Sequence, residues 1–326
     1  MVRYVLRRLI GLVVLLLMLS VVIFGLFYLL PASPAAMSCG QRCTPTKIAA
    51  KTRAWGLDKP IYVQYGQTMK GIFAGRRYAD GRRCAAPCLG YSFQLSEPVT
   101  SLIRERLPVT AGLAFGAAVL WLAAGVGTGV LSALRKGSVF DRAAMTVALV
   151  GVSMPSFFTG LVVLYLFCAK WQLLPWPHYV GITQDPLRWA QNMILPWLVV
   201  AFLFAALYAR LTRANMLETM AEDYIRTARA KGLPERTVIT RHALRAAVTP
   251  LVTIFGMDLG GLLGGAILAE QVFTLPGLGK LTVDAVTNAD LPVLFALTLV
   301  SAFFVITANL VVDLLYAVID PRVRLD

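Results

Sequence analysis

Six stretches of the chain carry almost no charged side chains: 9–30, 108–134, 143–169, 193–209, 247–269 and 291–312. A bilayer core takes about 20 apolar residues in helical form, so each stretch is long enough to cross a membrane. The pattern therefore predicts six transmembrane helices joined by polar loops. Two of those loops are long, 31–107 and 210–246, and the rest are short connectors.

The first stretch has Arg7 and Arg8 before it and Pro31 after it. A cleaved signal peptide would need an apolar stretch of only about 7 to 15 residues, so a retained anchor is the expectation. Composition agrees with a lipid-embedded chain: 58% of the 326 residues are hydrophobic and 15% charged. Soluble domains carry about 25% charged residues. Disorder, a collagen-like chain and a disulfide miniprotein are excluded by the high hydrophobicity, by 26 scattered Gly and by only five Cys.

A net charge of +14 could suggest nucleic acid, but the placement of the charges gives a membrane reading instead. With the N-terminus inside, the inner segments carry Arg3, Arg7, Arg8, Arg135, Lys136, Arg142, eight cations between Arg210 and Arg245, then Arg322 and Arg324. The short outer loops carry only Lys170, Arg188 and Lys280. That asymmetry predicts both termini in the cytoplasm. The loop 31–107 holds 12 basic and four acidic residues but is long enough to escape the rule.

That long loop reads as a small extracytoplasmic subdomain. It contains Cys39, Cys43, Cys84 and Cys88, and an oxidising compartment makes disulfides the first expectation. Bonds between the first pair and the second would close loops of about 40 residues, which stabilise more than local bonds in the chain-entropy model. A four-Cys zinc site is the alternative. Cys168, inside an apolar stretch, reads as a small packed residue.

Segment 210–246 shows helical periodicity. Ala221, Tyr224, Ile225 and Ala228 recur at i, i+3, i+4 and i+7, with Glu222, Asp223, Arg226 and Arg229 on the other face. Acids come early and Lys231 late, as the helix dipole favours. Gly232 is placed to stop the helix, and Pro234 suits the first turn of a second one that enters the membrane at Pro250. Periodicity alone also fits a membrane-hugging connector held by anionic lipid.

The run from Glu222 through Tyr224, Arg226, Thr227, Ala228 and Arg229 to Gly232, continued by Arg241, His242, Ala243 and Leu244, resembles the cytoplasmic loop of ABC-importer permeases of the dipeptide/oligopeptide type. The broader family has Glu-Ala-Ala-x3-Gly here. Arg226 and Thr227 stand in place of Glu and Ala, while Ala228 and Gly232 fit. Gly151 to Phe158, Glu270 to Gly279 and the closing run Asn309 to Tyr316 with Asp320, Pro321 and Arg322 are similar to the same family. The likeness covers the first span and most of 97–324, and covers the Cys-bearing loop poorly.

The resemblance implies an all-α, type I importer permease with six spans and an extracytoplasmic insertion after the first. Its expected parts are an N-terminal helix (1–30), the Cys-bearing subdomain (31–107), a five-helix core (108–317) and a cytoplasmic tail (318–326). It also implies a second permease, one or two ATP-binding cassette subunits and an extracytoplasmic solute-binding protein as partners. Glu222, Asp223, Tyr224, Arg226, Thr227, Ala228, Arg229 and Gly232 would couple the chain to an ATPase. ATP and magnesium would be bound by that partner, with no cofactor or metal in this chain. Dipeptides or oligopeptides are the implied solutes, and nickel chelates, glutathione and haem belong to the same family range.

Chemistry within the chain itself is sparse. A P-loop needs Gly-x4-Gly-Lys and then Ser or Thr, and the nearest approach, Gly279-Lys280, is followed by Leu281. An intramembrane serine protease could use Ser153, but neither His178 nor His242 is placed to serve it as base. A passive channel is the other class of function, and it would need no ATPase. Inside the apolar stretches, Asp258 sits among Gly256, Gly260, Gly261, Gly264 and Gly265, with Glu270 just beyond. Charged groups at such depth are costly and face an interior or a wet cavity. Asp258 and Glu270 are therefore the candidates for pathway or gate, with a structural bond to a neighbouring helix the alternative for Asp258 and a place at the membrane interface the alternative for Glu270. Asn309 and Asp313 read as structural or cytoplasmic-edge residues.

Overall fold

The structure is a computed structural model that describes residues 2–29, 35, 44–78, 81–92 and 94–319. Cys39, Cys43 and the tail from residue 320 onward lie outside the described residues. The chain is helical almost throughout. The first helix, α1, is Val2–Leu29. A small subdomain follows, with α2 (Pro45–Trp55), α3 (Ile61–Ala74) and two short antiparallel ladders, β1 (Arg76–Arg77) with β2 (Arg83–Cys84) and β3 (Tyr91–Ser92) with β4 (Glu97–Pro98).

Then come α4 (Val99–Leu134), α5 (Val139–Ser153), α6 (Ser156–Lys170), α7 (Pro186–Ala221), α8 (Asp223–Ala230), α9 (Glu235–Gly264), α10 (Ile267–Val272), α11 (Leu278–Thr287) and α12 (Leu291–Ile319). Helix α4 starts at Val99, so its first turns belong to the segment assigned from sequence to the outer subdomain. α4, α6 and α9 each contain a π-helical turn, at Leu122–Val126, Tyr165–Lys170 and Val238–Ala243.

Among the described residues, five helices are long and apolar enough to cross a membrane. The third predicted span is corrected: it is not one rod but α5 and α6, bent by 105°. Pro155 has no N–H to give to the carbonyl of residue 151, and it starts the second rod. The fifth span is corrected too. It ends at Gly264 rather than 269, where Gly265 turns the chain with φ +139°. Arg8 pairs with Asp313 at 3.0 Å, which puts the start of α1 and the end of α12 on one side. Counted as one span, the bent pair would make six.

Packing follows small residues. Gly256, Gly260 and Gly264, each one turn apart, face Val312, Ala308 and Ser301 of α12 so closely that a Cβ at any of them would collide. Close backbone approach of this kind is how helices associate where lipid removes the hydrophobic driving force. The central core gathers α4, α6, α7 and α9 around the buried Trp121, whose ring stacks on Phe204 at 4.7 Å. Cys168 is a free, buried thiol within this core.

Cys84 and Cys88 form a disulfide, with Cα atoms 5.5 Å apart. This corrects the expectation of bonds from the first Cys pair to the second. A tight turn brings the two thiols together locally, so loop entropy does not choose the pairing. The bond also removes two of the four thiolates a four-Cys zinc site would need.

Candidate functional site

Helix α8 stands at the end of the molecule that holds the basic loop. Helix α7 breaks at Glu222, which adopts an extended backbone (ψ 147°) before α8 begins. The short rod is therefore Asp223–Ala230, and Ala221 belongs to the helix before it, a correction to the periodicity reading. Tyr224 is also displaced from the expected apolar face, being 46% exposed. The buried face is Ile225 and Ala228 alone, packed with Ala133 of α4, Met216 of α7 and Val238, Ala243 and Ala247 of α9.

Burying a residue such as Ile225, which is 0% exposed, stabilises by about 1.5–3 kcal/mol. The exposed pair Arg226–Asp223 at 3.2 Å belongs to a class worth about 0.2–1 kcal/mol. The apolar pad therefore fixes α8, and the charges on its outer face are left to interact elsewhere. Thr227 spends its hydroxyl on the Asp223 carbonyl at 2.9 Å, within the helix.

The end of α8 is a rigid turn. Gly232 has φ +75°, a left-handed conformation suited to glycine, and its N–H donates to the Arg229 carbonyl at 2.9 Å. Nothing lies within 4 Å of where its side chain would be, so the glycine serves the backbone and not a close contact. Pro234 sits just before the next helix as its cap. Across the turn, Arg229 gives two hydrogen bonds to Glu235, at 2.7 and 3.1 Å, clamping α8 to the start of α9.

A second clamp was missed from sequence. Arg213 of α7 grips Asp141 of α5 through Nε at 2.6 Å and a second guanidinium nitrogen at 2.8 Å. Asp141 also accepts the Gly137 N–H at 2.9 Å, and its own N–H bonds the Ser138 side chain. The Ser138-x-x-Asp141 spacing, a helix-start signature, was the available signal for half of it. Arg213 had none.

The two membrane candidates differ. The Tyr208 hydroxyl of α7 donates to the half-buried carboxylate of Asp258 at 2.9 Å. Glu270 is 0% exposed. It accepts from the Thr110 hydroxyl at 2.7 Å and from the Lys280 N–H at 3.0 Å, and its carboxylate lies against Gly277. Thr110 in turn accepts the Leu278 N–H at 2.8 Å. The group thus ties α4, α10 and the N-terminus of α11 into one knot, and burial holds its pKa above the usual carboxylate range against these donors. Sequence gave no sign of Thr110. Ser153 returns its hydroxyl to the Leu149 carbonyl at 2.9 Å, inside its own helix.

An apolar groove is lined by Gly151, Val152 and Ser156 at the bend, Phe204 of α7, and Leu262 and Ala266 at the break in the fifth span. No cluster of three or more metal-ligating side chains occurs among the described residues.

A bundle of apolar helices with an apolar groove at two broken spans, and a short polar-faced helix at one end, defines a membrane permease. The family model for the binding-protein-dependent transport system inner membrane component matches residues 125–325, and the model for the N-terminal part of such components matches residues 1–114. The chain belongs to this family of transport permeases, multi-pass proteins of the inner membrane. It is 38% identical over 326 residues, all of both chains, to a protein of Brucella abortus named as a peptide transport system permease. It is 36% identical over 349 aligned positions, 99% of each chain, to the dipeptide transport system permease protein DppB of Escherichia coli K12.

Proposed function

We propose that the chain is one of two permeases of an ATP-driven importer of dipeptides or oligopeptides, with its basic loop in the cytoplasm and α8 seated on an ATPase subunit. The solute reading is supported by the names of its relatives, and the sidedness by the distribution of Lys and Arg. The observation that carries the coupling role is the division of α8 into two faces. Ile225 and Ala228 are sealed against three long helices, while Glu222, Asp223, Tyr224, Arg226 and Thr227 are exposed.

The mechanics follow from stiffness. Helix α7 has 36 residues, about 54 Å at 1.5 Å per residue, against a hydrocarbon core of about 30 Å. It reaches from α8 through the bilayer without a break. A push on α8 passes through the apolar pad to α4, α7 and α9, and the Arg213–Asp141 clamp carries α5 with them. The bend and the Gly265 break at the groove are where such rigid parts can change their relative angle. ATP and magnesium belong to the partner, which hydrolyses the nucleotide. A second permease completes the pathway, and a solute-binding protein delivers to the opposite side. Asp258, half-buried on one of the groove helices, is the pathway residue of this reading.

Purification from mild detergent tests it. An ATPase and a second permease should come off the column with the chain, and reconstituted vesicles should take up labelled dipeptide only with ATP. A chain that purifies alone and passes solute without nucleotide would instead be a passive channel.

A further inference from the structure

We infer that the outer subdomain holds an anionic phospholipid, with the acyl chains against α3 and the phosphate in an adjoining basic cleft. The depth of α3 is fixed by its contacts with α1. The Tyr65 hydroxyl hydrogen-bonds Ser20 at 2.7 Å, and the Tyr65 ring meets Phe24 edge-on at 5.4 Å. Ser20 lies six residues inside the end of the apolar span Leu6–Leu26, or about 9 Å below it. The Tyr65 contact therefore lies at the level of the leaflet on the Leu26 side, and brings that part of α3 to the membrane boundary.

Its inner face packs on α1 and α12 through Tyr65 and Met69. The adjoining stripe holds Tyr62, 74% exposed, and Phe73, 85% exposed, with Gly66 and Lys70 between them. These bulky aromatics add to the exposed apolar side chains of the neighbouring α1, which presents Met18, Val22 and Leu26. Aromatic rings and a snorkelling Lys are the side chains that suit a headgroup boundary.

Beside this stripe, Arg53, Lys59, Lys70, Arg76 and Arg77 line one cleft between α2, α3 and β1. Asp58 is the single carboxylate among the described residues lining it. Arg76 is held by Gln67 at 3.2 Å, and its guanidinium lies over the Tyr78 ring at 4.8 Å, so this cation is preset. Lys70 borders both the stripe and the cleft. A phosphodiester at headgroup height would meet the cations while its chains lie on Tyr62 and Phe73. The inference needs only that the chain spans a membrane, not which side α3 is on.

The test uses the full assembly in native membranes, with Phe73→p-benzoylphenylalanine and, separately, Tyr62→p-benzoylphenylalanine. After irradiation, mass spectrometry should find a phospholipid adduct at each position. An adduct to another protein chain, or no adduct, would overturn the lipid face. For the headgroup, intact-protein mass spectrometry from nanodiscs of equal phosphatidylglycerol and phosphatidylethanolamine reads the retained lipid. The wild type should favour phosphatidylglycerol, and Lys70→Glu with Arg77→Glu should lower that preference at least fivefold. The surface control Arg236→Glu should leave it alone. Equal retention by the wild type and the double variant would overturn the phosphate site.

Discussion

The acidic side chains at the starts of α11 and α8 are arranged in opposite ways. At α11 the carboxylate of Glu270 comes from another element, is sealed from solvent, and is met by Thr110 and the Lys280 N–H. At α8 the acids are local, Glu222 capping the helix and Asp223 opening it, and both are exposed. Both favour a helix N-terminus electrostatically. The first is a finished structure in which every partner is internal. The second leaves its polar face unfinished, and an unfinished face is what a docking partner can complete.

The contrast predicts where damage falls. Glu270→Ala should have the largest effect, because it strands buried donors and opens space against Gly277. A loss of about 3 kcal/mol or more is expected, read as a lower unfolding midpoint in detergent. An unchanged midpoint would mean the knot does not hold the fold. At α8 the effect should be on transport instead. Gly232→Val forces a branched side chain into a left-handed conformation at about 1–2 kcal/mol, and Arg229→Glu sets two carboxylates face to face. Each should cut ATP-dependent uptake several-fold with normal membrane insertion, and undiminished uptake would remove α8 from the coupling path.

Asp258→Asn is intermediate. Its amide carbonyl can still accept from Tyr208, so stability should move by less than about 1 kcal/mol, while uptake falls. Uptake at the wild-type rate would reduce Asp258 to a structural bond. The smallest effect concerns pH. Burial raises the carboxyl groups of Glu270 and of Asp290, which bonds Ser92. A raised carboxyl favours the folded state when protonated, so this contribution is present in acid and is lost as pH climbs through the carboxylate range to the raised value. Thermal scans across that range should show a shallower slope for Glu270→Gln than for the wild type; parallel slopes would contradict it.

The same contrast explains what could be read from the amino acids alone. The six apolar stretches and α8 were legible because lipid and helical periodicity each impose a local pattern. The break at Pro155 was not read from the pattern, which runs unbroken through 143–169, and its 105° angle depends on packing between helices. The Glu270 knot was illegible because Thr110 lies 160 residues away and carries no pattern of its own. Tyr224 misled because its period matched Ile225, yet Met216 and Val238 fill the pad without it. The Cys84–Cys88 pairing was decided by a turn, where the general argument from loop length pointed elsewhere.

The most direct measurement is amide hydrogen exchange across Asp223 to Lys231, in the isolated permease and in the assembled transporter with its ATPase. The account predicts at least tenfold slower exchange in this segment on assembly, with a further change when ATP is bound. Identical exchange in the isolated chain and in a complex that is actively transporting would contradict it.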